Sequence, residues 1–319
     1  VNGRICDRIA LGRDAGPCEP KRAIVFYEPS FAPGRLGIGG PSRSFPSISI
    51  TGARCALNCK HCGGRLLRGM IPAESPRELL AICERIREGG GIGCLISGGC
   101  DRNGSVPLAG FLEAISKAKR DLGLKVVVHT GIVGEEVAEG LGRAGIDAAL
   151  IDLIGSAEAI REIYGIEASP RDYEGSIRAL RSHGVPVVPH ILVGIHYGRL
   201  GGEVRALEIA SKCDPQALTF IVLTPIRGTA MESVEPPSPL EVAELISIAR
   251  SSMADIPLSL GCVRPKGDHR AKLDALAIAA GVNAIAFPSG SAIALAESMG
   301  LRVRFSNSCC SLIHEDISM

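Results

Sequence analysis

The chain has 319 residues and a formal net charge of +1, from 35 Lys and Arg against 34 Asp and Glu, so its charge marks neither a nucleic-acid surface nor an acidic tail. Aromatics make up 3% of the residues and Trp is absent, which argues against stacking platforms for single-stranded nucleic acid and predicts an aliphatic core. Hydrophobic residues reach 46% and mean hydropathy is +0.23, yet no apolar run attains the roughly 18 residues that a membrane span requires. No export signal is visible, and a cytoplasmic location away from any membrane is expected.

Residues 1–46 are rich in Gly and Pro, carry Cys6 and Cys18, and contain one strand-like run at 23–27, which reads as an N-terminal extension. From Ser47 a βα rhythm begins and continues to about residue 300. Strands are predicted at 47–51, 92–97, 124–129, 146–152, 185–193, 217–223, 256–260 and 282–287. Helices are predicted at 75–88, 107–122, 134–144, 157–163 with 170–183, 202–212, 238–253, 268–280 and 289–299. Runs such as Val126-Val127-Val128 and Ala148-Ala149-Leu150-Ile151 suit strands buried on both faces of a parallel sheet. Ser75-Pro76 and Ser169-Pro170 place a capping hydroxyl before a proline at the first helical position, and Ser289 is a third cap. The pattern predicts an α/β fold, a (β/α)8 TIM-type barrel over 47–300, with a cysteine-containing tail at 301–319. Sites in such folds gather where strands end.

The first strand runs into Thr51-Gly52-Ala53-Arg54-Cys55-Ala56-Leu57-Asn58-Cys59-Lys60-His61-Cys62, three thiols within eight residues. Three close thiolates suit a cubane iron–sulfur cluster that keeps one iron open. Structural zinc would need a fourth ligand, His61 or a distant Cys, and bystander thiols are the third alternative. With 12 cysteines and no export signal, metal chemistry in a reducing compartment is favoured over disulfides. After the second strand, Ser97-Gly98-Gly99-Cys100-Asp101 exposes backbone to a ligand or makes a plain tight turn. Asp152 ends the fourth strand, as a ligand contact or a cap. His190 lies on the fifth and His196 just beyond it, where a core role is the commoner one. Adjacent Cys309 and Cys310 do not readily bond to each other but suit a metal. With Cys6 and Cys18, or with Cys100 and Cys262 as alternatives, they are candidate ligands of an auxiliary iron–sulfur cluster. Cys83, Cys94 and Cys213 read as small core residues.

The spacing of Cys55, Cys59 and Cys62 is that of the radical S-adenosylmethionine (radical SAM) enzymes, and residues 47–290 resemble those of the biotin synthase type. The resemblance implies a 4Fe-4S cluster on the three cysteines and SAM as cofactor. His61 takes the place of an aromatic residue that packs on the adenine. Gly98 and Gly99 would hold the methionyl ammonium, with Cys100 and Asp101 standing where the family usually has Glu. Asp152 would meet the ribose hydroxyls, and Arg171 the carboxylate through a bidentate fork. Arg264 stands where biotin synthase has a cluster-binding Arg, but the surrounding cysteines do not follow that enzyme and the role is not transferred.

More narrowly, residues 51–70, the stretch from Ser97 to Leu108 and the Cys309-Cys310 pair look like archaeal proteins that act in pairs as a two-component lipoyl synthase. That likeness implies sulfur insertion into an octanoyl chain on a carrier protein, a lipoyl domain or glycine-cleavage H-type protein. A second radical SAM subunit and a one-electron donor such as ferredoxin would be partners. Another biotin synthase-like reaction on a small molecule, by sulfur insertion or rearrangement, and a non-catalytic iron–sulfur partner protein are the alternatives.

Overall fold

In the computed structural model, which describes residues 23–29 and 44–317, the apolar runs become parallel strands of one sheet. The strands are β1 Ala23–Tyr27, β2 Ser47–Ser49, β3 Ile71–Pro72, β4 Gly93–Ser97, β5 Lys125–His129 and β6 Ala148–Asp152. They continue as β7 Val187–Val193, β8 Leu218–Val222, β9 Leu258–Leu260, β10 Ala284–Ala286 and β11 Arg302–Ser306. The crossover helices are α1 Pro76–Glu88, α2 Leu112–Arg120, α3 Glu135–Ala144, α4 Pro170–Ser182, α5 Glu203–Lys212, α6 Pro239–Ser252, α7 Asp268–Ala280 and α8 Gly290–Ser298. A short turn of helix at Ala157–Ala159 runs into a π turn at Ile160–Tyr164 before α4.

The predicted βα units are all present and follow one another around the sheet. Closure differs from the expected barrel. The strand order is β11-β1-β10-β9-β8-β7-β6-β5-β4-β2-β3, so among the described residues β10 does not meet β2. Its outer edge is taken by β1, an all-apolar five-residue strand that pairs on its other side with β11. At the opposite end the three-residue β2 is flanked by β3. The run at 23–27, predicted to pack on the barrel, is therefore an internal strand of the sheet, and the barrel is curled but open.

Helix starts follow the predicted chemistry. Ser75 Oγ accepts from Glu78 N at 3.3 Å, and Ser289 Oγ from Ala292 N at 3.3 Å. At α4 the Asp172 carboxylate accepts from Ser169 N at 2.7 Å, one half of a capping box.

Alternation along the strands separates two buried layers. Val126, Val128, Ala149 and Ile151 face the helices, whereas Val127, Ala148, Leu150 and Val188 face the concave side. The concave positions are small, with Ala148, Ala217, Ala284 and Ala286 among them, so the sheet alone does not fill its own lumen. The segment after β11 does. It folds back so that Cys310–Leu312 touch the neighbouring β9 and β10 and also β6, from which β7 and β8 separate them in the sheet, and Cys310, Leu312 and Ile313 are buried there. Burial of the two aliphatic side chains stabilises this arrangement by about 1.5–3 kcal/mol each. Tyr27 donates to Asp316 Oδ2 at 2.6 Å and Lys125 pairs with Glu315 at 2.7 Å, which ties the far end of the segment to the last residue of β1 and the first residue of β5.

Arg264, fully buried after β9, is a structural tie. Its guanidinium pairs with Asp274 at 2.8 Å and donates to the carbonyls of Gly261 and Ala286, each at 2.7 Å, while Asp274 accepts from the amide of Ser289. Every arm of the fork is spent on Asp274 of α7 and on the carbonyls of Gly261, Ala286 and Phe287.

Candidate active site

The loop after β2 is shaped by backbone that few residues adopt. Asn58, Gly63 and Gly64 take positive φ of 48°, 52° and 69°, and the amide of Gly63 closes back onto the Cys59 carbonyl at 2.8 Å. The Lys60 amide hooks the loop to Ile163 O at 2.9 Å, within the π turn. Beneath the loop the turn after β4 makes the closest approach. A β-carbon at Gly99 would overlap the Arg54 carbonyl and the Cys55 backbone, and the Gly99 amide donates to Thr51 Oγ1 at 2.7 Å. Cys55 Sγ lies 3.9 Å from Cys100 O, and Ala56 N donates to that same carbonyl at 2.9 Å.

Three thiols thus converge at the mouth of the sheet. Cys59 donates to Cys62, and that bond, with His61 and the Gly64 amide, outweighs burial and lowers the Cys62 thiol to about 4, so Cys62 stands as thiolate. Cys59, the donor and buried beside two other thiols, is pushed far up in return. Cys100 is close by, and burial, with Cys55 and Asp152 near it, pushes its thiol up to about 12. Three protein sulfurs from one loop fit a cubane cluster with an open iron. Cys59, His61 and Cys62 also bring ligand atoms within 4.8 Å of one another, the geometry on which the zinc alternative rests.

The surroundings fit a polar cofactor. Among the described residues His61 Nδ1 and Tyr164 Oη are buried without hydrogen-bond partners, and their rings pack at 5.3 Å. Buried polar atoms are seldom left unpaired, so both are places for ligand atoms. A cleft of about 510 Å³ opens beside Thr51, Arg54, Cys55, Gly99, Cys100 and Asp101. Asp101 lines it, but its Oδ1 already accepts from the amides of Asn103 and Ser105 at 2.8 and 3.0 Å. Arg171 is exposed in the first turn of α4.

Asp152 belongs to a group that sequence reasoning did not assemble. Its Oδ1 lies 3.3 Å from His129 Nε2 and 3.6 Å from His190 Nδ1. The three residues sit at or near the C-terminal ends of adjacent strands β5, β6 and β7, with Asp152 in register opposite His190. Burial opposes ionisation of Asp152, but His129 and then His190 outweigh it and hold the carboxyl far below the usual range. Burial likewise works against charge on His129, yet Asp152 raises it, whereas burial prevails at His190 and lowers it. His129 was detectable only as a polar residue ending an apolar strand. Of the candidate auxiliary ligands, Cys309 and Cys310 enter the lumen beside Cys262, close enough for their thiols to interact. Cys100 belongs to the mouth, and Cys6 and Cys18 lie outside the described residues.

Residues 49–198 match the profile of the Radical SAM superfamily. Biotin synthase from Halorhodospira halophila is 25% identical over 279 residues, covering 83% of this chain and 79% of that protein. Biotin synthase from Janthinobacterium sp. is 31% identical over 183 residues, covering 54% of this chain and about half (51%) of that protein. In fold, the chain is similar to the crystal structure of methylornithine synthase (PylB), with a TM-score of 0.60 at 15% identity over 88% of this chain and 83% of that one.

Proposed function

This chain belongs to the radical SAM superfamily and is biotin synthase-like, and from that premise we propose that it inserts sulfur into an octanoyl chain on a carrier protein, as one of two lipoyl synthase subunits. The observation that supports this reading is the second group of thiols: Cys262, Cys309 and Cys310 meet in the lumen, where an auxiliary iron–sulfur cluster would be a source of sulfide. When bound, the cluster at the mouth supplies the electron that splits SAM into a hydrogen-abstracting radical. Cys55, Cys59 and Cys62 hold that cluster. Gly98 and Gly99 let backbone approach SAM, with His61 and Tyr164 offering their unpaired polar atoms. The partners of this reading are an octanoylated lipoyl domain or H-type protein, the second subunit and a ferredoxin-like donor.

A second reading, a rearrangement of a small molecule, is favoured by one feature. Leu312 and Ile313 occupy the lumen floor, which shortens the space available to an acyl chain.

The test is anaerobic iron and sulfide content of wild type beside a Cys55→Ala, Cys59→Ala, Cys62→Ala variant, together with turnover on an octanoylated carrier. Sulfur insertion expects about one cluster of iron to persist in the variant and sulfide to be consumed in turnover of wild type. Loss of all iron from the variant, with 5′-deoxyadenosine formed by wild type at no cost in sulfide, overturns it in favour of the second reading.

A further inference from the structure

Outside the cysteine loop, the group with the most convergent geometry is His129, Asp152 and His190. Two imidazole nitrogens on neighbouring strands approach one carboxylate oxygen, at 3.3 and 3.6 Å. Charge-assisted hydrogen bonds run shorter, about 2.7–2.9 Å. The observed spacings instead bracket the edge of a coordination tetrahedron, about 3.4 Å for metal–ligand bonds of about 2.1 Å. All three ligand atoms lie within 4.8 Å of one another. The other nitrogen of His190, Nε2, lies 3.3 Å from Ser311 Oγ on the returning segment, the kind of contact that fixes the tautomer of a metal-binding histidine. Solvent reaches 28% of the His129 and Asp152 side chains and 12% of that of His190, so the group is enclosed without being sealed.

We propose that His129 Nε2, Asp152 Oδ1 and His190 Nδ1 form a mononuclear site for a divalent first-row transition-metal ion, whose ligands include none of the thiols. Two imidazoles and one carboxylate are borderline ligands that suit Zn2+, Fe2+ or Co2+ and disfavour Mg2+ and Ca2+. Three protein ligands leave a coordination position open, as in catalytic sites, and it would take an oxygen or sulfur donor from a bound substrate. The assignment gives Asp152 a cation in place of the ribose hydroxyls expected from the sequence. It is independent of the identity of the acyl acceptor.

The probe is Co2+, titrated into the full chain purified anaerobically without cluster reconstitution, with bound metal measured by equilibrium dialysis and by visible d–d absorption. In the Cys55→Ala, Cys59→Ala, Cys62→Ala variant, which removes the loop thiols, one equivalent is expected to bind without sulfur-to-cobalt charge transfer, and to persist when Cys309→Ser is added. Affinity is expected to fall by more than about 100-fold in His129→Ala and in His190→Ala. Asp152→Asn and His190→Gln preserve side-chain volume on the strands and must show the same loss while retaining the wild-type circular dichroism. Unchanged uptake in these variants, uptake that disappears with Cys309→Ser instead, or no uptake by wild type overturns the proposal. None of these results depends on SAM cleavage or on sulfur transfer.

Discussion

The two groups of thiols are built in opposite ways. Cys55, Cys59 and Cys62 come from one loop, whose shape is set by Asn58, Gly63 and Gly64 and by backbone ties to the π turn and to the turn after β4. Cys262, Cys309 and Cys310 are brought together by topology: one follows β9, the others arrive on a segment that fills the lumen because the strands leave it empty. A site of the first kind depends on its own loop and two neighbouring turns. A site of the second kind depends on the packing of the whole concave face.

The largest effect expected from this contrast is at the loop. Cys59→Ala should reduce 5′-deoxyadenosine formation to background and remove the iron held at the mouth, while the thermal midpoint shifts little, since a buried thiol contributes only about 1 kcal/mol to packing. Iron analysis beside calorimetry checks this. Parallel loss of fold and iron would erase the distinction between the two regions.

Next in size is Leu312→Ala, which empties part of the lumen and should cost about 2–5 kcal/mol in denaturant unfolding. Alkylation of Cys309 and Cys310 should quicken, with iron at the loop retained. A change at neither region supplies the scale: Ser169→Ala removes a helix cap and should cost about 1 kcal/mol with no effect on iron. The Asp172 carboxyl is lowered by its bonds to Ser169, so its contribution is present above the ordinary carboxylate range and fades as pH falls through its depressed value. Acid titration of stability in wild type and Ser169→Ala should converge at low pH.

The same contrast explains what the sequence made legible. Runs such as Val126-Val127-Val128, and Ser-Pro pairs before helices, carry their information within a few residues, and every predicted βα unit is present. The cysteine loop is legible for the same reason. The pairing of β1 with β10 and β11 was not, because nothing local to Ala23–Tyr27 names a partner from the far end of the chain. The His129, Asp152 and His190 group was equally hidden. Each is an ordinary polar residue on an apolar strand, and only the parallel register places them side by side. Arg264 stands where biotin synthase has a cluster-binding Arg, a role the sequence did not support, and its fork is spent on Asp274 and three backbone carbonyls.

The position of β1 also bears on how the molecule is made. Its two ladder partners are synthesised nearly a full chain length later, so at translation rates of about 5–20 residues per second the strand waits roughly 15–50 s for them. During that interval Ile24, Val25, Phe26 and Tyr27, all buried in the finished sheet, are an uncovered apolar edge. Ribosome-associated chaperones, or slow elongation at high expression, should therefore decide the yield of this protein more than its final stability does.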